Sequence, residues 1–250
     1  MNYSFQVAYL NTIRPKKLIP ENIIQDLYNN KSFSSLVSII KEYNYNISNF
    51  KETELLNAYN FESVITNELL DTLNLIDTLL YENHRWIVDW LKNYFIDNNF
   101  TGIKDLISFL ENSYLKFKKL NSKLLEELIN LVIDFENIKI FLSYSLLKDV
   151  SLKDIKFIKF GSFSELLLKE LSFSVDNLNN ILYFSKYHKL KVYSQPVKEN
   201  FHHYLNYYLK ELSWKSKFCY FTIEPIVFYF LDKLLETQRI KEIYYDIKLS

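Results

Sequence analysis

Glycine is almost missing from this chain: two occur in 250 residues, beside four prolines, one cysteine and one methionine. Open sheets, barrels and phosphate-cradling loops use glycine for positive-φ turns and for close backbone approach. Its scarcity speaks against those plans and for helices joined by short connections. Cys219, alone, can form neither an intramolecular disulfide nor a cysteine metal cluster. An excess of one charge is lacking too. Lys and Arg total 30, Asp and Glu total 30, and the formal net charge is zero. A nucleic-acid binder draws much of its affinity from phosphates through a basic excess, which this chain does not carry. No window of about 20 uncharged apolar residues occurs, so no membrane-spanning helix is expected. The opening MNYSFQVAYLNTIRPKK has no basic segment followed by an apolar core, so no secretory signal is expected. These absences lead to the expectation of an intracellular protein that is soluble by itself.

What is present is a 48% hydrophobic, 24% charged composition, that of a folded chain long enough for a sizeable core. Most of it has helical period. From Ser122 to Lys148, Leu124, Leu128, Leu131, Phe135, Ile138 and Leu142 recur at spacings of four and three, one apolar stripe that must face a partner. Ser122 suits the N-cap. A last helix is expected from Glu224 onward, with Pro225 in its first turn, where a missing N–H costs nothing. Further helices are expected over 3–16, 21–29, 34–44, 52–81, 84–97, 102–112, 164–171, 174–186 and 198–213, with Pro15, Pro20 and Pro196 at boundaries.

Internal repetition is the most informative feature. SLVSIIKEY (35–43) resembles DLISFLENS (105–113), and SFSSLVSII (32–40) resembles SFSELLLKE (162–170). IDFENIKIFLSYSLL (133–147) lies on LETQRIKEIYYDIKL (235–249) without a gap, setting Asp134 on Glu236 and Lys139 on Lys241. Asn137 meets Arg239 in the same frame.

Residues that carry chemistry in other proteins are here poorly spaced for it. His202 and His203 are adjacent and point about 100° apart on a helix, so they cannot share a metal as an i,i+4 pair can. His84 and His188 lack ligand spacing. Cys219 sits between Phe218 and Tyr220 and reads as a buried inert thiol. Glu126 and Glu127 read as a solvated face rather than an acid–base pair. No phosphate-loop, dinucleotide or nucleophile-elbow motif occurs. Gly102 and Gly161 stand alone before expected helices. The aromatic-rich HHYLNYYLKELSWKSKFCYF (202–221) suits core packing or a partner contact. The expectation is therefore no catalytic residue, no cofactor and no metal. Asp134 and Asn137 can interact as i,i+3 neighbours with Lys139 turned elsewhere. Asp134, Asn137, Lys139, Glu236 and Lys241 then have a repeated structural task, setting helix register or anchoring a loop.

Three segments together resemble the C subunit of the V/A-type rotary ATPases and ATP synthases, related to the d subunit of eukaryotic vacuolar ATPases. YSFQVAYLNTIRPKKLIPENIIQDLYNNKSFSSLVSIIKEYNY resembles the family's opening. IDFENIKIFL is similar to its Asp-x-x-Asn-Leu-Lys/Arg helix, with Asp134, Asn137 and Lys139 at the matching positions. IEPIVFYFLDKLLETQRIKEIYYDIKL resembles its last helix. The chain departs from the pattern at Tyr9, Asn11 and Arg239, and is shortened around Tyr59 to Phe95. The resemblance implies an all-α fold, one domain over 1–250. Its similar helical segments, about 1–98, 99–160 and 161–250, would surround a funnel with pseudo-threefold character. It implies a non-catalytic central-stalk subunit that joins the rotor axle to the membrane rotor ring and transmits torque for proton or sodium transport. Such a subunit lies on the cytoplasmic face of the membrane, held through protein contacts. Arg14, Lys16 and Lys17 are candidates for a partner-facing basic turn, or a solvated loop. An unrelated all-helical scaffold, or an all-α enzyme with a site built from scattered residues, are the competing classes.

Overall fold

The computed structural model describes residues 2–145, 155–163, 168, 174–190 and 198–249. Its regular elements are all helical, and no strand occurs among the described residues. The α-helices are α1 (Ser4–Lys17), α2 (Glu21–Asn30), α3 (Phe33–Glu42), α4 (Ala58–Leu79), α5 (Trp86–Leu91), α6 (Ile103–Lys119), α7 (Lys123–Ser145), α8 (Val175–Tyr183), α9 (Lys198–Ser216) and α10 (Glu224–Leu249). The chain divides into two compact units, one of residues 1–99 and 213–250, the other of residues 100–212.

The first unit is organised by α10, which packs against α1, α2, α3 and α4. Ile226 to Leu231 are at most 1% exposed, so this stretch is covered on every side. A helix apolar all round has no single stripe to turn inward and needs neighbours on all faces. Further along, Ile240, Ile243 and Tyr244 join Ile24, Leu27, Leu36, Ile40, Phe61 and Val64 in one apolar cluster. Each such side chain taken from water contributes about 2 kcal/mol. Tyr244 stacks on Phe61 with centroids 3.9 Å apart and planes 8° apart. Its hydroxyl escapes a desolvation penalty by donating to the Leu56 carbonyl at 2.9 Å.

The second unit is built on α7, which packs against α6. All residues from Leu131 to Ile138 are buried, the acids and Asn137 included. The expected start is present: Ser122 Oγ accepts from the Leu125 N–H at 3.1 Å.

Element boundaries differ from the sequence expectations at places with local causes. The expected helix 52–81 is split, because Asn57 caps α4 through the Tyr59 N–H and leaves Glu52–Leu56 as a 3-10 turn. Pro15 lies inside α1 rather than at its end. It leaves the Asn11 carbonyl without a helical donor, and Asn11 is exposed, where water can supply one. The 84–97 helix becomes the 3-10 turn Glu82–His84, α5 and a π-helical turn, Lys92–Asp97. Past the expected end at residue 112, α6 runs on to Lys119. Of the helix expected over 164–171, only Leu168 is described, and it is helical and buried. Pro196 and 146–148 lie outside the described residues.

The shortage of glycine is met by asparagine. Asn44, Asn98 and Asn121 adopt φ of 62°, 44° and 52°, with Lys31 at 43°. Asparagine tolerates the left-handed region better than other side chains, so three chain reversals form without glycine.

Phe61 is fully buried against Tyr244. Phe61→Ala is expected to lower unfolding free energy by about 3–5 kcal/mol in urea denaturation. A loss below about 1 kcal/mol would mean the stack is peripheral to the core.

Candidate functional site

In the second unit α7 directs two polar side chains, three residues apart, onto the segment 155–163. Asp134 is fully buried. One carboxylate oxygen accepts the backbone N–H groups of Ser162 and Phe163, the latter at 3.1 Å. The other accepts the Tyr187 hydroxyl and lies 3.5 Å from Lys186 Nζ. Asn137 accepts the Ile158 N–H at 2.8 Å and donates to the carbonyls of Ile158 and Phe163 at 3.1 and 3.4 Å. Asp134 and Asn137 thus bond to the same loop and not to each other, unlike the i,i+3 pairing expected from spacing. Both therefore hold the loop, each from its own position. Burial first, then the Asp134 charge, pushes the Tyr187 phenol up, so it stays a donor.

Gly161 completes this clasp. Its φ is +99°, and a Cβ there would stand 2.5 Å from the Asp134 carboxylate and 2.9 Å from Ile133. Only glycine permits the loop to approach α7 so closely. Gly102, by contrast, is extended with open space around it, and any residue fits. Lys139, half-buried, pairs with Glu136 at 2.7 Å on the neighbouring face of α7.

The first unit holds a second clasp on α10. Glu236 accepts the Ile19 N–H, the Tyr45 hydroxyl at 2.7 Å and Lys233 Nζ at 2.8 Å. Lys233 is fully buried, 3.1 Å from Glu68 on α4, donates to the Lys17 carbonyl, and lies over the Tyr45 ring. Burial raises the carboxyls of Glu68 and Glu236, against the opposing pull of Lys233. Burial likewise pushes up the phenols of Tyr45 and Tyr229. At the rim, Lys241 pairs with Glu62 and Arg239 with Glu21.

The two clasps have one plan. In each, a long-helix carboxylate takes a backbone N–H and, further along the chain, a phenol. Ile19 and Tyr45 are 26 positions apart by number; Phe163 and Tyr187 are 24 apart. This frame sets Phe163 against Ile19, whereas sequence likeness sets 162–170 against 32–40.

Lys233 and Glu68 were not found by sequence reasoning. The available signal was a lone lysine in VFYFLDKLL, three residues before Glu236. Of the three basic candidates near the end of α1, Arg14 pairs with Asp232 at 3.1 Å and lies over Tyr229. Lys16 is exposed and Lys17 half-buried, and their carbonyls accept from Asn44 and Lys233. His84 accepts the Tyr3 hydroxyl at 2.7 Å or donates to it. Cys219 is half-buried rather than fully buried, its thiol pushed up by burial and then by Glu224. Among the described residues no group of three His, Cys, Asp or Glu could hold a metal ion. Both clasp carboxylates direct their oxygens at donors from the protein itself, an arrangement that fixes backbone rather than activates a bound molecule.

A family model described as the ATP synthase (C/AC39) subunit matches residues 108–245, which include both clasp acids. No curated protein and no solved structure matches the chain.

Asp134→Ala leaves the Phe163 N–H and Tyr187 hydroxyl buried without an acceptor, at about 1–3 kcal/mol each. Gly161→Ala is expected to destabilise the wild type by more than about 1 kcal/mol. In the Asp134→Ala background it should cost measurably less, because the clashing carboxylate is gone. Equal costs in both backgrounds, by denaturant titration, would refute the close approach.

The carboxyl of Glu68, raised above its ordinary value of 4.5, penalises the folded state at neutral pH. That penalty is released as pH falls through the folded value toward 4.5. The stability of Glu68→Gln relative to wild type should therefore fall as pH is lowered across this window. A relative stability that rises would mean the pull of Lys233 outweighs burial.

Proposed function

The chain belongs to the ATP synthase (C/AC39) subunit family of V/A-type rotary ATPases, and on that premise we propose that it is the non-catalytic connector of the central stalk. In this role it receives the rotor axle on one side and rests on the membrane rotor ring on the other. It passes torque between ATP hydrolysis or synthesis and the movement of protons or sodium ions. It lies on the cytoplasmic face of the membrane, held by protein contacts. The observation that carries this reading is the family match across α6 to α10; it favours the connector over an unrelated helical scaffold.

Three properties support it. No helix among the described residues is long and apolar enough to cross a membrane, consistent with attachment through partners. The clasp acids, Asp134 and Glu236, are committed to backbone and phenol donors, as suits a body that must carry load without yielding. The duplicated clasp suits a chain of similar helical segments, which we take to be about 1–98, 99–160 and 161–250 around a funnel. In this reading Asp134, Asn137, Lys139, Glu236 and Lys241 keep each long helix in register with its loop. Lys16 and Lys17 remain candidates for a partner-facing turn, with Arg14 orienting it from within.

The test is assembly and coupling. Tagged protein should co-purify from membranes with the axle and rotor-ring proteins and hydrolyse no ATP alone. A complex reconstituted without it should hydrolyse ATP without moving ions. Protein that never associates with axle or ring overturns the reading.

A further inference from the structure

The turn between α9 and α10 carries a cluster that neither clasp uses. Trp214, Phe218, Tyr220 and Phe221 are 60%, 60%, 57% and 64% exposed. Trp214 and Phe218 meet edge-on with centroids 5.0 Å apart, so they form one surface. The Phe221 carbonyl accepts the Tyr3 N–H at 3.0 Å, which ties the turn to the start of α1. Phe5, two residues beyond Tyr3, is 80% exposed. Lys215 and Lys217, both exposed, lie between Trp214 and Phe218 in the sequence. No acid occurs from Leu212 to Ile223; the flanking acids are Glu211, exposed, and Glu224, buried.

Large apolar rings left together in water mark a contact surface. Three features select its occupant. The aromatic side chains come from a non-helical turn and the end of α9, so they offer no regular stripe for a partner helix. Trp and Tyr favour the boundary where one end of the ring is apolar and the other wet, the headgroup level of a bilayer. Exposed lysines lie between them in the sequence, and lysines beside apolar rings complement anionic headgroups.

We propose that this turn is a lipid contact: Trp214, Phe218, Tyr220 and Phe221 enter the headgroup–acyl boundary of a membrane containing anionic phospholipid, with Lys215 and Lys217 against the phosphates. This goes beyond the connector role, in which attachment runs through protein partners. It requires no spanning helix, only apolar area and positive charge at one edge.

The test uses the full chain and protein-free vesicles, so its result is independent of the stalk role. The protein is expected to sediment with phosphatidylcholine vesicles containing phosphatidylglycerol, and weakly with phosphatidylcholine alone. Trp214 emission should shift to the blue on binding, and the shift should vanish in Trp214→Phe. Phe218→Ser with Phe221→Ser should weaken binding roughly tenfold or more. Lys215→Gln with Lys217→Gln should weaken it about 25-fold on anionic vesicles, roughly fivefold per charge, with little effect on neutral ones. The proposal is overturned if the wild type does not sediment with anionic vesicles, or if the variants sediment like the wild type. It is equally overturned if the patch variants lose only binding to a purified rotor ring; the surface would then serve a protein.

Discussion

A carboxylate removed from water must find its hydrogen bonds within the protein, and that requirement shapes both units. Asp134 and Glu236 are buried on the two longest helices, where desolvation alone would cost several kcal/mol. Each is compensated by donors that the chain cannot move without breaking the set: backbone N–H groups and, further along the chain, a phenol. Loop and helix are thereby held in one register. Apolar packing supplies most of the stabilisation, yet it is non-directional and would tolerate a helix shifted by a turn. The clasps remove that freedom.

The demands of the clasps explain where the chain places its rare residues. Gly161 is required because the loop passes within a Cβ's reach of Asp134. The other positive-φ positions among the described residues tolerate a side chain: asparagine takes three and Lys31 the fourth. In the first unit the balance is more delicate. Lys233 is shared by two buried acids, Glu68 and Glu236, and also serves the Lys17 carbonyl. Removing Lys233 would leave two buried acids without their shared cation, a large penalty, whereas removing either acid leaves Lys233 paired with the other. The polar network thus links α4, α10 and the end of α1 as one piece.

In the proposed connector role, a body held in this way would pass force between its partners, which calls for stiffness and for surfaces. The clasps would supply the stiffness, and the exposed aromatic turn at 214–221 offers a surface, drawn from the very stretch whose density of aromatics stands out in the sequence.

Much of this is legible in the sequence, because helical period, capping and composition are local properties. Scarce glycine and the stripes of Leu124 to Leu142 announce helices, Ser122 announces a start, and the gap-free pairing of 133–147 with 235–249 announces a shared task for Asp134 and Glu236. What escapes is everything that depends on partners distant in the chain. Sequence spacing pairs Asp134 with Asn137, but both bond instead to a loop more than 20 residues away. Nothing local marks Tyr45 and Tyr187 among twenty tyrosines as the two that close the clasps. Lys233 looks like a surface lysine until α4 brings Glu68 against it. Local pattern determines which elements form; only tertiary packing decides which buried charges meet, because desolvation acts on neighbours in space and not on neighbours in sequence.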